Sequence, residues 1–501
     1  MDIVSELLVG NHYLCHMEQK KRKPYWDVAL SLVPIVSLVA MLSVVIRLFG
    51  ADALSGGSQV ALLCASAVSV LVGVFCFKVK WAHIESVVID HVSKVGSALF
   101  ILMLIGALSG VWILSGVVPL MIHYGLQIMN PHTFLFSACM ICAIVSVMTG
   151  SSWTTIATIG VALLGIGKAQ GFSEGLVAGA IISGAYFGDK ISPLSDTTVL
   201  AASITDTPLF SHIRYMMFTT VPSMLIALTL FALIGMTSDT ADTSRIDVYS
   251  SALHAKFHLS PWLLIVPAVT FVMILRRMPA LVVLFLSTIL ATVCAIVFQP
   301  HVLAEVAGTT SEDVSSLTVG ALRGIYDTTS IDTGQEEVNA LVATRGMRGM
   351  LDTIWLILCT MLFGGCMAAS GMLRHITQLF LPLIRKTVGI VASTVCTGVF
   401  FNTVVADQYL SIILSGSIFK DLYRREGFES RLLSRSIEDS ATITSPLIPW
   451  NSCGMTQSTI LSVSTLTYLP YCFFNLISPL MSIIVASIGW KIARKGKGGK
   501  E

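Results

Sequence analysis

Charge is scarce in this chain. Of its 501 residues only 12% are Asp, Glu, Lys or Arg while 54% are hydrophobic, too few charges to clothe a water-facing surface. Lipid is therefore the solvent for most of it. Also missing are H-E-x-x-H, G-x-S-x-G and P-loop patterns, which leaves an intramembrane enzyme without support, and no cofactor is expected. The first apolar run starts only near Asp27, continues to about Phe49 and lacks a convincing small-residue cleavage site, so it reads as a span and not as a cleaved leader. The 11 Cys sit mostly inside apolar runs; Cys139 and Cys142 form the one C-x-x-C, with no His or third thiol near them, which favours packing over metal or redox chemistry. A net charge of +2 gives no reason to expect nucleic acid.

What is present is a series of apolar runs. A bilayer core of roughly 30 Å needs about 20 apolar residues per helix, and full spans fall at about 27–49, 58–77, 97–118, 172–205, 212–236, 260–278, 279–298, 350–370, 438–462 and 467–490. With a cytoplasmic N-terminus, 23 of the 31 Lys and Arg lie inside, seven lie outside, and Lys190 lies within an apolar run. The Arg276-Arg277-Met278-Pro279 turn between two apolar runs is the clearest inside marker. The expected order is a cytoplasmic tail at 1–26, one membrane domain at 27–490 and a basic cytoplasmic tail at 491–501. The protein is expected in the inner (plasma) membrane, multi-pass, with the lipid bilayer as its main partner. Stretches 237–259 and 299–349 read as external loops, and 78–95 and 420–437 as either interfacial amphipathic helices or solvated connectors.

Two polar breaks recur in the same order. The run 132–147 meets Thr149-Gly150-Ser151-Ser152, and later comes Asp189-Lys190-Ile191-Ser192-Pro193-Leu194-Ser195-Asp196-Thr197; the run 387–401 meets Asn402-Thr403, then Asp407, and later comes Glu438-Asp439 followed by Thr444-Ser445-Pro446-Leu447 and Asn451. Pro193 and Pro446 lie 253 residues apart, and the same offset carries Thr149 onto Asn402. That register reads as a duplication, with a first repeat at about 58–205 and a second at about 279–462. Five full spans between the copies, an odd number, make them inverted, as in many secondary transporters.

A proline in mid-span removes an amide donor and frees a carbonyl, which lipid tolerates only where protein, water or an ion satisfies it. Ser192, Ser195, Thr197, Thr444, Ser445 and Asn451 offer oxygens beside that backbone, and Asp189, Asp196, Asp407 and Glu438 add negative charge at a depth where an ionised Asp costs at least roughly 3 kcal/mol. Plainer readings stand beside this one. Ser-Pro can be a kink, Thr149–Thr155 an ordinary loop between two full spans, Lys190 a structural partner of Asp189, and Glu438 and Asp439 helix caps.

The motifs Gly184-Ala-Tyr-Phe-Gly-Asp-Lys-Ile-Ser-Pro-Leu-Ser-Asp-Thr-Thr198, Thr149-Gly-Ser-Ser-Trp153 and Thr444-Ser-Pro-Leu-Ile-Pro-Trp-Asn451 resemble those of the NhaC-type sodium/proton antiporter family, from about Asp27 to Trp490. The resemblance implies an all-α polytopic fold of inverted repeats, about 10 full spans plus two re-entrant hairpins and two unwound transmembrane helices. It makes Thr149, Gly150, Ser151, Ser152, Asn402 and Thr403 the hairpin tips, and Asp189 to Thr197 and Thr444 to Asn451 the unwound segments. Transported Na+ and H+ would share carboxylates, with Na+ held through Asp196 and Asp407. Related members exchange malate for lactate, so a sodium- or proton-coupled organic-anion exchanger is the alternative; a passive channel fits broken inverted helices poorly. Neither break contains an Arg to clamp a carboxylate, which favours a small hard cation. The oligomeric state stays open, a homodimer being one arrangement.

Overall fold

The computed structural model describes residues 24–49, 56–237, 243–276, 278–377 and 387–494. The tails 1–23 and 495–501, and Arg277 of the dibasic turn, lie outside the described residues. Among the described residues the regular structure is helical, with extended pairing limited to isolated bridges such as Thr329 with Thr344. Eight helices are long and apolar enough to cross a membrane, or up to 11 if each sharply bent pair counts as one span. Mean hydropathies of 2.6 over Trp26–Phe49 and 2.8 over Ala280–Phe298, with most of each window unburied by protein, mark surfaces made for lipid. The chain is a multi-pass membrane protein.

Several stretches differ from their sequence reading; 237–259, expected as a loop, holds the helix Thr243–Lys256. The span expected at 97–118 is Gly96–Leu114, which turns at Gly116 (φ 83°) into a further apolar helix, Val117–Ile128, bent by 66°. A Cβ at Gly116 would stand 2.6 Å from the Gln299 amide, so the corner needs glycine for space as well as for φ. Stretch 299–349 is not a plain loop: it forms Pro300–Ala307, Val314–Tyr326 and Glu336–Leu341. Val314–Tyr326 is drawn into the bundle because Gly110 and Gly324 let two backbones touch where any side chain would collide. Stretch 420–437 divides. Its first part ends a long helix, and its second part, with Leu432 and Leu433 buried, begins another. By contrast Trp81–Lys94 forms one amphipathic helix, with Ile84 buried and Trp81 and Ile89 exposed.

Ten helices carry the polar breaks or pack around them: α1 (Pro131–Thr149), α2 (Ser152–Ala169), α3 (Glu174–Ile191), α4 (Asp196–Ile204), α5 (Leu209–Thr237), α6 (Thr387–Val404), α7 (Gln408–Arg425), α8 (Ser430–Ile437), α9 (Ser452–Leu461) and α10 (Phe473–Ile488). Helix α1 starts where Asn130 accepts the His132 amide at 2.9 Å with Pro131 at the first helical position. It lies against α3 at backbone distance, since Gly184 faces the Cys139 carbonyl and Gly188 the Ala143 carbonyl. Cys139 and Cys142 are free, buried thiols in this small-residue seam.

Candidate functional site

At the first break helices α1 and α2 meet at a short capped turn. Helix α1 stops at Gly150 (φ 66°), and Ser151, extended, caps α2 by accepting the Thr154 amide at 3.2 Å. One residue on, Ser152 gives both its amide (3.2 Å) and its hydroxyl (2.8 Å) to Asp189 Oδ2 near the end of α3. Pro193 has no amide to return to Asp189. That carbonyl instead accepts from the Ser192 amide at 3.3 Å and the Thr198 hydroxyl at 3.4 Å, and Thr198 also reaches the Lys190 carbonyl at 2.9 Å. Ser192 donates to the Val147 carbonyl at 2.8 Å, and Ser195 caps α4 through the Thr198 amide. The hydroxyls of this break thus serve freed backbone before they serve anything else.

The second break repeats the plan with carboxamides. Helix α6 ends at Val404, Ala406 takes the left-handed conformation (φ 56°), and Asp407, extended, caps α7 by accepting the Leu410 amide at 3.0 Å. Asn402 donates to the Ala441 carbonyl at 2.5 Å and to Thr444 Oγ1 at 2.9 Å, and Asn451 donates to the Asn402 carbonyl at 3.0 Å while capping α9. The Thr442 carbonyl freed by Pro446 accepts the Ser445 hydroxyl at 2.7 Å, and Trp450 Nε1 donates to the Thr403 carbonyl at 2.7 Å. Ser452 closes the set by donating to Asp407 Oδ2 at 3.1 Å.

The two breaks share a register of 256 residues, three more than the Ser-Pro-Leu spacing. It carries Gly150 onto Ala406, Ser151 onto Asp407 and Ser195 onto Asn451, the left-handed residues and the helix caps (406 − 150, 407 − 151 and 451 − 195 are each 256). It also carries one hydrogen bond onto another: Ser146 donates to the Ala185 carbonyl, and Asn402 to the Ala441 carbonyl. Because this offset holds on both sides of the proline, it carries Pro193 onto Pro449, and Pro446 is a second proline three residues earlier in the second unwound segment.

A cavity of about 620 Å³ opens beside the first break. Thr149 to Thr154, Asp189, Asp196 and Thr197 line it, Gln408 and Tyr409 extend it from the start of α7, and Ser97, Ile101, Met278, Pro279, Ala280 and Val283, from elsewhere in the chain, also line it. Of the residues expected to act, Asp196 is exposed within this space and Asp189 is buried at its edge. Asp407, Glu438, Asn402, Thr403, Thr444, Ser445, Asn451, Ser192 and Ser195 are not part of its lining. Glu438, fully buried, meets the first break only through the Thr197 hydroxyl at 3.3 Å. Asp196 and Asp407, expected as joint sodium ligands, are therefore not on one wall. Gln408, Tyr409 and Trp153 were missed by the sequence reading, although the first two directly follow Asp407.

Lys190 does not pair with Asp189. It donates to Asp439, across from the second break, and to Ser478 at 3.0 Å, with both charged side chains wholly buried. Asp439 Oδ1 also accepts from Thr219 (3.1 Å) and Ser478 (3.2 Å), while Arg435, equally buried, approaches its Oδ2 at 3.9 Å and stacks on Tyr215 at 4.7 Å. No local signal joins residues 249 positions apart.

A family model described as the Na+/H+ antiporter family matches residues 184–490, which takes in the second part of the first break and the whole of the second. The chain is 36% identical over 419 residues to the Na(+)/H(+) antiporter NhaC of Alkalihalophilus pseudofirmus, covering 83% of this chain and 87% of that one. It is 33% identical over 433 residues to the Malate-2H(+)/Na(+)-lactate antiporter of Bacillus subtilis, covering 86% and 89%. Among solved structures it aligns with the Alcanivorax borkumensis YdaH transporter at a TM-score of 0.36 and 12% identity, over 81% of this chain and 88% of that one. Identity of this order over more than four-fifths of both chains, together with a family match that contains the Asp189 and Asp407 segments, shows that the chain belongs to the Na+/H+ antiporter family.

Proposed function

We propose that the protein exchanges sodium ions for protons across the plasma membrane, both termini cytoplasmic, with Asp189 and Asp196 at the exchange site. The observation that carries this is the lining of the large cavity: two carboxylates, several hydroxyls and one carboxamide converge on it, and no Lys, Arg or His lines it among the described residues. A dicarboxylate entering this space would meet only like charge, whereas a hard cation finds oxygen ligands. Lys190, the one cation in the breaks that a carboxylate substrate would want, is committed to Asp439. This favours sodium over the organic anions named for one relative.

The broken helices line the cavity together with Ser97, Ile101, Met278, Pro279, Ala280 and Val283 from elsewhere in the chain, a natural division for alternating access between a moving and a fixed part. The matching caps and the shared register of the two breaks support a duplicated, inverted pair of re-entrant hairpins and unwound helices. Since the charge bias puts the Arg276 turn inside, a wall that includes Met278 and Pro279 corresponds to a site open to the cytoplasm. Proton and sodium would occupy the same carboxylates in turn, and Asp407, held by Leu410 and Ser452, would position α7 beside them.

The test is dissipation of a preformed pH gradient in everted vesicles on adding Na+, Li+, K+ or malate in turn. Sodium should collapse the gradient and malate alone should not. A response to malate with none to sodium would replace this reading by organic-anion exchange.

A further inference from the structure

A second cavity, of about 590 Å³, lies where α5 begins and α10 ends, away from the site described above. Three cations, Arg214, Arg431 and Lys491, line it together with Phe218, and it has no carboxylate in its lining. The carboxylate nearest to these charges is Glu429, which pairs with Arg431 at 2.6 Å; Arg214 and Lys491 form no ion pair among the described residues. The pocket is a built one. The Tyr215 hydroxyl donates to the Lys491 carbonyl at 2.5 Å and accepts the Ala493 amide at 3.2 Å, so the chain after α10 is fastened over α5 as one wall. Lys491 and Arg431 lie over the Phe218 and Tyr215 rings at 5.8 and 5.2 Å, which fixes their ammonium and guanidinium groups toward a common space.

Two helix ends flank it. Phe210, 73% exposed, opens α5, and Ile488, also 73% exposed, closes α10, with half-exposed Trp490 edge-on to Phe218 at 5.5 Å. Large apolar side chains left bare beside a Trp mark the boundary between hydrocarbon and headgroups. Unpaired cations at that boundary, over aromatic walls, have the chemistry of a seat for an anionic phosphate.

We propose that this pocket binds the phosphate headgroup of an anionic membrane lipid, whose acyl chains run down the exposed faces of α5 and α10. Inorganic phosphate shares the headgroup's charge but lacks the apolar contact with Phe210 and Ile488, and so binds more weakly.

Thermal unfolding of the purified full-length protein in detergent, titrated with dioleoyl-phosphatidylglycerol, dioleoyl-phosphatidylcholine or inorganic phosphate, tests this. Phosphatidylglycerol should raise the midpoint saturably, and phosphatidylcholine should not. Arg214→Gln and Lys491→Gln, both at exposed positions, should each weaken the phosphatidylglycerol titration by about fivefold, the effect of one cation at an anionic leaflet. Lys80→Gln, an exposed cation elsewhere, should leave it unchanged. Equal stabilisation by the two lipids, or equal weakening by Lys80→Gln, would reduce the effect to generic amphiphile or surface charge and overturn the proposal. Millimolar phosphate matching the lipid would assign the pocket to a soluble anion and overturn it too.

Discussion

The two polar breaks use one backbone plan with two sets of side chains. In the first, hydroxyls from Ser152, Ser192, Ser195 and Thr198 serve the freed backbone and Asp189, and the break looks into the large cavity. In the second, Asn402, Asn451 and Trp450 stitch the same junction, and only Gln408 and Tyr409 of it line that cavity. The difference is one of reach. A hydroxyl serves only groups next to its own backbone or in contact with it and leaves room; a carboxamide reaches further and fills the gap. On the proposed reading the first copy would receive the ion and the second would brace it.

The largest effect should come from cutting the link between the copies. Lys190→Met would leave Asp439 buried with only hydroxyl donors and a distant Arg435, at a cost of about 3–5 kcal/mol. Little folded protein should then be recovered, by size-exclusion chromatography of a fluorescent fusion. Normal yield from Lys190→Met alone would show that the pair does not tie the breaks together.

Next comes the asymmetry in chemistry. Asp196→Asn should lower sodium-driven proton flux to that of empty vesicles without loss of insertion. Asp407→Asn should retain most flux, because Asn caps a helix about as well as Asp. The parent's apparent sodium affinity should tighten with rising pH, by up to about tenfold per unit for one displaced proton. Equal flux in the two variants would erase the distinction between an open and a braced break.

Smaller effects should follow the side-chain difference. Asn402→Ala strands the buried Ala441 carbonyl and removes the Thr444 contact, for about 1–3 kcal/mol, while Ser146→Ala at the equivalent position loses a single bond worth about 1 kcal/mol. Thermal unfolding midpoints should rank in that order. The smallest change belongs to Ala406→Gly. Relief of the left-handed backbone, about 1–2 kcal/mol, is largely offset by a lost buried methyl worth about 0.8 kcal/mol. Gly150→Ala should be clearly worse, since its Cβ would also lie 2.6 Å from Leu194 Cβ.

The breaks were legible in the sequence because Pro, Asp and Ser inside apolar runs carry a solvation cost that demands an explanation. Their register differs by three residues from the Ser-Pro-Leu spacing, because Pro449 and not Pro446 stands where Pro193 stands relative to the caps Ser195 and Asn451. Val314–Tyr326 escaped because its place in the bundle depends on glycine contacts with Gly110 and Leu303, which no periodicity reports. The split between cavity-lining Asp196 and cap-forming Asp407 depends on which residue precedes the first helical turn and which begins it, a one-residue matter that composition cannot resolve.

Lys190 and Asp439 are also separated in time. A ribosome adding about 5–20 residues per second needs roughly 12–50 s to travel the 249 positions between them. Throughout that interval α3 carries an unneutralised ammonium that hydrocarbon rejects by about 3 kcal/mol. The first broken helix would then be expected to stay near the headgroups, or against water in the insertion machinery, until Asp439, just past α8, emerges with the counter-charge. Biogenesis of the amino-terminal half is in this sense completed by the carboxy-terminal half, and a chain truncated before Asp439 should be recognised by membrane quality control as unfinished.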